Sequence, residues 1–375
     1  MPESVRTVLS LDGEWSYKQD PERTGEKQKL YDPSLSRKEW KRMNIPVNWY
    51  NSEVGDYHGV IWFAKEFTVS GDVENKEYML RFNAIDYIGE AWLNGEYLGR
   101  HEGFFAPFEF RVTDRIKKDS NTLVVKVDSP LDETEYRHVP TPDVDAVCSE
   151  PYQIKWPVGL TIIKGALIHF YHRPGWETQF GQDANTGGIW QSVEMITTGT
   201  LTIENVKIYP KIVENEGVPD GTALLAVDID VYNSNSSTVK AQIGMEAWGK
   251  NFESPEAIEK SKGFVLTPGS NRVKLIHTVK KPALWWCWDQ GKPDLYQMKV
   301  TASLETDGKS QPQDEKFETF GIRELKVDGK GQWHLNGRRV FARGMRYLSS
   351  IWLGEGNETM FREDLEKMLQ LNITP

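Results

Sequence analysis

Fourteen tryptophans, beside 14 tyrosines and 15 phenylalanines, are the residues of this 375-residue chain whose type best suits contact with a ligand. A flat indole face stacks on the apolar C–H patch of a pyranose ring. The same large aromatics also fill the cores of β-sandwiches. Their number tilts the class towards sugar-facing proteins and places no site. Two cysteines, Cys148 and Cys287, lie far apart and match no metal-ligand spacing, which leaves inert thiols or one disulfide. The chain has no compact ligand cluster of its own, so no metal site is assigned and no cofactor is expected, with metal dependence left open.

Any such contact residues must be held by a scaffold, and the totals bound what that scaffold is. The length allows two or three domains. A net charge of −10 argues against nucleic acid or an anionic membrane as a partner, because no basic surplus is available to neutralise phosphate. The start, MPESVRTVLSLDGEW, lacks an apolar h-region and no run approaches a membrane span, so a cytoplasmic location is expected.

Residues 1–200 read as one all-β domain. Strand-like runs at Val60–Val69, Tyr78–Asn83, Glu90–Leu93, Phe104–Val112 and Thr122–Val127 are separated by turn signals. Asn94-Gly95 is the strongest hairpin signal among them. Between Asp132 and Gly188 the pattern loosens into a proline-containing, loop-rich stretch of the kind that often carries function. A second β unit over 201–320 shows Val227, Ile229 and Val231 alternating with Asp228 and Asp230, as in a half-buried antiparallel strand. Its length suits a seven-stranded immunoglobulin-like sandwich. In 321–375, Asn336-Gly337 marks another hairpin, and Arg339–Tyr347 reads as a buried strand leaving it. From Met360 the period becomes helical, with Phe361, Leu365, Met368 and Leu369 on one face and Asn357 or Thr359 as N-cap. Strand, loop and helix after two sandwiches is how a (β/α)8 barrel begins.

Five stretches in order resemble glycoside hydrolase family 2, the family of β-galactosidases, β-glucuronidases and β-mannosidases. They are LDGEW at 11–15, AWLNGEYLGRHEGFFAPFEFRV at 91–112, NTGGIWQSVEM at 185–195, LWWCWDQGKPDLYQMKV at 284–300 and FGIRELKVDGKGQWHLNGRRVFARGM at 320–345. The resemblance implies a mainly β chain: an N-terminal jelly-roll sandwich, an immunoglobulin-like sandwich, then only the first strand and helix of a TIM barrel. It also implies a retaining β-glycosidase whose two glutamates, roughly 5 Å apart, lie on later barrel strands. A barrel needs about 250 residues, so those glutamates are expected beyond Pro375 and the chain alone is expected to be inactive. No catalytic residue is assigned within it. A free-standing carbohydrate-binding protein derived from such an enzyme is the alternative.

The Asn215-Glu216 and Asn357-Glu358 pairs imitate the family's acid/base motif. Their settings, a polar turn and a helix start, make them structural. The family's loop before the GIW motif sends residues into the barrel mouth. By that resemblance Asp183 is the candidate carboxylate for sugar hydroxyls, with an Asx-type turn as its structural alternative. His172, Arg173 and Trp176 could line the same cleft. Arg346, Tyr347 and Trp352, at the end of the first barrel strand, point towards where the site would form. Arg346 replaces the family's usual Asn, and Leu348 replaces the His common in β-galactosidases. The departure at Leu348 weakens a β-galactosidase assignment. A β-linked glycoside or oligosaccharide is the expected partner, with self-association into a homo-oligomer left open.

Overall fold

The computed structural model describes residues 5–55, 57–69, 73–103, 105–129, 136–139, 154–157, 187–215, 218–254, 257–344, 347, 354 and 356–373. The first sandwich uses β1 (Thr7–Ser10), β2 (Gly13–Asp20), β3 (Lys41–Ile45), β4 (Gly59–Phe67), β5 (Glu77–Phe82), β6 (Ile88–Leu93), β7 (Glu96–Glu102), β8 (Phe108–Arg111) and β9 (Asn121–Ser129). A short antiparallel pair, β10 (Tyr136–Val139) with β11 (Ile154–Pro157), follows, and β12 (Val193–Thr198) closes the unit. A six-stranded sheet, β3-β2-β4-β9-β6-β7, faces a four-stranded sheet, β1-β12-β5-β8.

Strand β4 explains why this sandwich is thicker than two sheets. Ile61 and Phe63 enter the core between the sheets with Trp15, Tyr17, Leu80, Phe82 and Val125. Val60, Trp62 and Ala64, on the opposite face by strand alternation, are buried too, beneath Leu30 and Trp40. The chain between β2 and β3 is therefore a strap over the outer face. Each large side chain so buried contributes about 1.5–3 kcal/mol. The expected strand at Phe104–Val112 is shorter, because β8 begins only at Phe108 after the turn at Gly103 (φ 129°).

The second unit is a seven-stranded sandwich. Its first sheet is formed by β13 (Leu201–Asn215), β14 (Val218–Asn233) and β17 (Gly269–Lys280). The other, in the order β16-β15-β18-β19, joins β15 (Val239–Gly249), β16 (Ile258–Leu266), β18 (Tyr296–Thr306) and β19 (Lys309–Phe320). Val227, Ile229 and Val231 are fully buried, whereas Asp228 and Asp230 face outward and pair with Lys274 (3.1 Å) and Arg272 (2.6 Å) on β17. The alternation visible in the sequence is thus the division between core and a ladder of surface ion pairs.

Beyond Phe320 the chain forms a small meander, β20 (Leu325–Val327), β21 (Trp333–Leu335) and β22 (Arg338–Val340), then helix α1 (Glu358–Gln370). The buried strand expected over Arg339–Tyr347 is not formed among the described residues of that range. β22 ends at Val340, pairs among the described residues with β21 alone, and leads to Phe341, which is 77 % exposed. With a partner on one side only, the strand has nothing to bury it. Helix α1 carries no buried residue, and the Asn357 side chain caps it by accepting from the Met360 N–H (3.0 Å).

Candidate functional site

The motifs of the first sandwich converge on one end of it. Asp12 accepts from the Val193 N–H (3.0 Å), and the Trp15 indole N–H donates to the Leu11 carbonyl (2.8 Å), which fastens LDGEW to the start of β12. The GGIW stretch is then gripped from two sides. Val47 N–H donates to the Ile189 carbonyl and Trp49 N–H to the Gly187 carbonyl, both at 2.8 Å. Gly188 exchanges two backbone hydrogen bonds with Asp86, each 2.9 Å.

Both glycines are required by this grip. A Cβ on Gly187 would lie 2.2 Å from the Trp49 ring. Gly188 has φ +118°, and a Cβ there would lie 2.8 Å from the Val47 carbonyl oxygen.

A rim forms around this grip. Asn48 is buried, and its side-chain oxygen accepts from the Tyr50 N–H (3.2 Å) and the Gly187 N–H (3.3 Å). Its Nδ2 is buried and has no hydrogen-bond partner among the described residues. Phe105, 57 % exposed, meets Trp190 edge to face at 6.0 Å between ring centroids. His101 stacks on Phe108 at 4.1 Å; burial pushes its pKa below the usual value, Arg100 adds to the fall and Glu102 opposes it. A neutral imidazole at neutral pH follows. Burial likewise raises the Tyr87 phenol, with Glu102 assisting. Gly354, from the segment between β22 and α1, comes back to this rim, so that a Cβ on it would sit 3.8 Å from the Trp190 carbonyl oxygen and 3.9 Å from the Asn48 backbone nitrogen. The exposed Phe105 face beside Trp190 suits stacking on a neutral polyol.

Of the residues singled out from the sequence, Asp183, His172, Arg173 and Trp176 lie outside the described residues, as do Arg346 and Trp352. What is described is the anchor at Gly187, into which the Asp183 segment runs. Tyr347 is 40 % exposed, and its hydroxyl donates to Asp364 on α1 (2.8 Å). Asn215 ends β13, and Glu216 is not among the described residues. Asn357 is the N-cap expected of it. Sequence reasoning missed Asn48 and Phe105, whose only local signals are a proline-flanked PVNW and a GFFAPF run.

A second cluster ties the later segments together. In the tryptophan-rich loop after β17, the Arg323 guanidinium lies over Trp285 (4.4 Å) and that of Arg338 over Trp286 (4.8 Å). Trp288 donates to the Ile373 carbonyl (3.0 Å), and Arg343 joins Asp289 (2.8 Å) to the Asn372 carbonyl (2.7 Å). Cys287 in this loop is a half-buried free thiol, and burial raises its pKa. Among the described residues no group of three or more His, Cys, Asp or Glu could hold a metal ion, and no helix is long and apolar enough to cross a membrane.

Residues 25–191 match the family profile described as the glycosyl hydrolase 2 galactose-binding domain-like, and residues 201–323 match that of glycosyl hydrolases family 2. The chain is 24 % identical to a β-galactosidase of Thermoanaerobacterium thermosulfurigenes, over 98 % of this chain and 45 % of that protein. It is also 24 % identical to a mannosylglycoprotein endo-β-mannosidase of Lilium longiflorum, over 85 % of this chain and 32 % of that protein. A crystal structure of Bacteroides uniformis β-glucuronidase superposes with a TM-score of 0.69 at 18 % identity, covering 97 % of this chain and 38 % of the other, which shows a shared fold. The chain thus spans between about a third and a half of the length of the curated relatives it matches.

Proposed function

Because this chain belongs to glycoside hydrolase family 2, we propose that its two sandwiches are the non-catalytic, cleft-shaping portion of a retaining β-glycosidase. The division follows the motifs: 1–200 the jelly roll, 201–320 the immunoglobulin-like sandwich, 321–375 the opening of the barrel. In this reading the nucleophile and the acid/base glutamate come from barrel strands outside these residues. The substrate is a β-linked glycoside or oligosaccharide. Asp183, His172, Arg173 and Trp176 enter the cleft from the jelly-roll side, Arg346, Tyr347 and Trp352 from the barrel side. A cytoplasmic setting belongs to the same proposal.

One observation supports it above the rest. The rim built by Asn48, Phe105 and Trp190 is where Gly354, between the meander and α1, returns to the jelly roll. In this reading, side chains of the first sandwich stand at the mouth of what the later segment opens. The Phe105–Trp190 pair suits an outer sugar, which it would orient without touching the reacting bond.

The test is kinetic. In the full-length protein, Phe105→Ala and Trp190→Ala are expected to raise KM for aryl β-glycosides severalfold while changing kcat less, the sign of lost uniform binding. Unchanged constants in both variants would remove the rim from the substrate cleft.

A further inference from the structure

A groove of about 770 Å³ opens on the outer face of the first sandwich, at the far end of β3 from the Asn48 rim. Its origin is a mismatch of strand lengths. Pairing of β2 with β3 stops at Tyr17 and Lys41, whereas β2 runs on to Asp20 paired only with β4. The strap leaves the sheet there, and the space between it and β2 is the groove. Leu30 and Trp40 form an apolar base, and Lys18, Gln19, Lys38 and Lys41 line the opening.

The walls are fixed before any ligand arrives. Asp20 accepts from the Thr24 N–H (2.9 Å), the Gly25 N–H (2.8 Å) and the Trp62 indole N–H (3.0 Å), pinning the start of the strap. Arg37 lies 5.4 Å from the Trp40 ring centroid and donates to the carbonyls of Leu30, Asp32 and Leu35, pinning its end. Binding there would therefore need little ordering of the protein.

The charge of the opening runs against that of the chain. On a protein of net charge −10, three ammonium groups surround the groove against one carboxylate, Glu39. Lys41 has Glu53 at 3.5 Å, but the ammonium groups of Lys18 and Lys38 have no ion pair or hydrogen bond among the described residues. The volume is that of a small-molecule site. The open edge of β2, Lys18 to Asp20, is too short for an added peptide strand, which typically needs about five residues.

We propose that this groove is a second saccharide site, separate from the cleft, for a sugar carrying a carboxylate or a sulfate. The choice of a saccharide over another small anion rests on the glycosidase reading; the choice of an anion does not. Lys18 and Lys38 would receive the acidic group, Gln19 a hydroxyl, and the Leu30–Trp40 base the apolar edge of the ring.

Binding is measured on this chain by calorimetry and amide-shift titration with methyl β-D-glucuronide, galactose 6-sulfate and methyl β-D-glucoside. No turnover is required, so failure here leaves the cleft reading standing, and the reverse. At least one anionic sugar is expected to bind roughly tenfold or more tightly than the neutral glucoside, shifting the Lys18, Gln19 and Lys38 amides and weakening with salt. Which of the two binds identifies the acidic group. The exposed double variant Lys18→Ala/Lys38→Ala is expected to lose roughly fivefold or more in affinity. Equal binding of all three sugars, an unaffected double variant, or the same shifts with a tetraglutamate peptide and none with sugar would overturn the proposal.

Discussion

Gly187 and Gly188 show how a motif acquires its meaning from distant residues. The run NTGGIW is recognisable in the sequence, yet nothing local says why two glycines are needed. The reason is Trp49, whose ring occupies the place of a Gly187 side chain, and Val47, whose carbonyl approaches Gly188. Gly187→Ala is therefore expected to destabilise the first sandwich by about 1–3 kcal/mol, as overpacking does. The check is the urea midpoint of the isolated chain; an unchanged midpoint would mean that the indole can move aside. The same non-locality hid Asn48. Its Nδ2 becomes notable only once its oxygen is seen to be used by Tyr50 and Gly187 while the nitrogen is not.

At the scale of elements, what could be read was what local chemistry decides. Asn94-Gly95 and Asn336-Gly337 both place two consecutive residues at positive φ (55° and 88°, 49° and 79°), the requirement of a tight hairpin. The alternation of Val227 to Val231 likewise needed only strand period. Strand β22 was over-read because whether an apolar run is buried depends on neighbours that sequence does not place beside it. The strap over β4 was missed for the converse reason: its few apolar anchors, Leu30 and Trp40, show no period. Helix α1 rests on capping and on its C-terminal turn rather than on a buried face. Asn357→Ala should thus cost about 0.5–2 kcal/mol of local helix stability. Amide exchange is expected to quicken from Glu358 to Arg362 while β14 and β18 stay protected; equal exchange in the variant and parent would show that the cap contributes nothing.

Across the whole molecule, the two sandwiches are joined by a buried ion pair. Arg6, just before β1, sends Nε and Nη2 to Asp314 on β19 (2.8 and 2.7 Å), and Asp314 also accepts from the Ile203 N–H (2.6 Å). Gln313 reinforces the junction through Gly199 and Thr200. Burial raises the Asp314 pKa, and Arg6 and the Ile203 amide pull it back only in part. Removing the cation in Arg6→Ala leaves a fully buried carboxylate unpaired, at a cost of about 3–5 kcal/mol near neutral pH. A carboxyl whose folded pKa is raised gives full stability below its unfolded value and loses it as pH rises through the folded one. The Arg6→Ala penalty should therefore shrink on acidification towards the ordinary carboxylate range, as denaturant titrations along a pH series would show. A penalty that is constant, or grows, with acid would contradict the pairing of Arg6 with an ionised Asp314. These joints hold the two sandwiches as one frame, and the proposed function places the catalytic chemistry outside them. Incubation of the purified chain with a panel of aryl β-glycosides tests that claim most directly. The account predicts no release of the aryl group above background; saturable hydrolysis by these residues alone would contradict it.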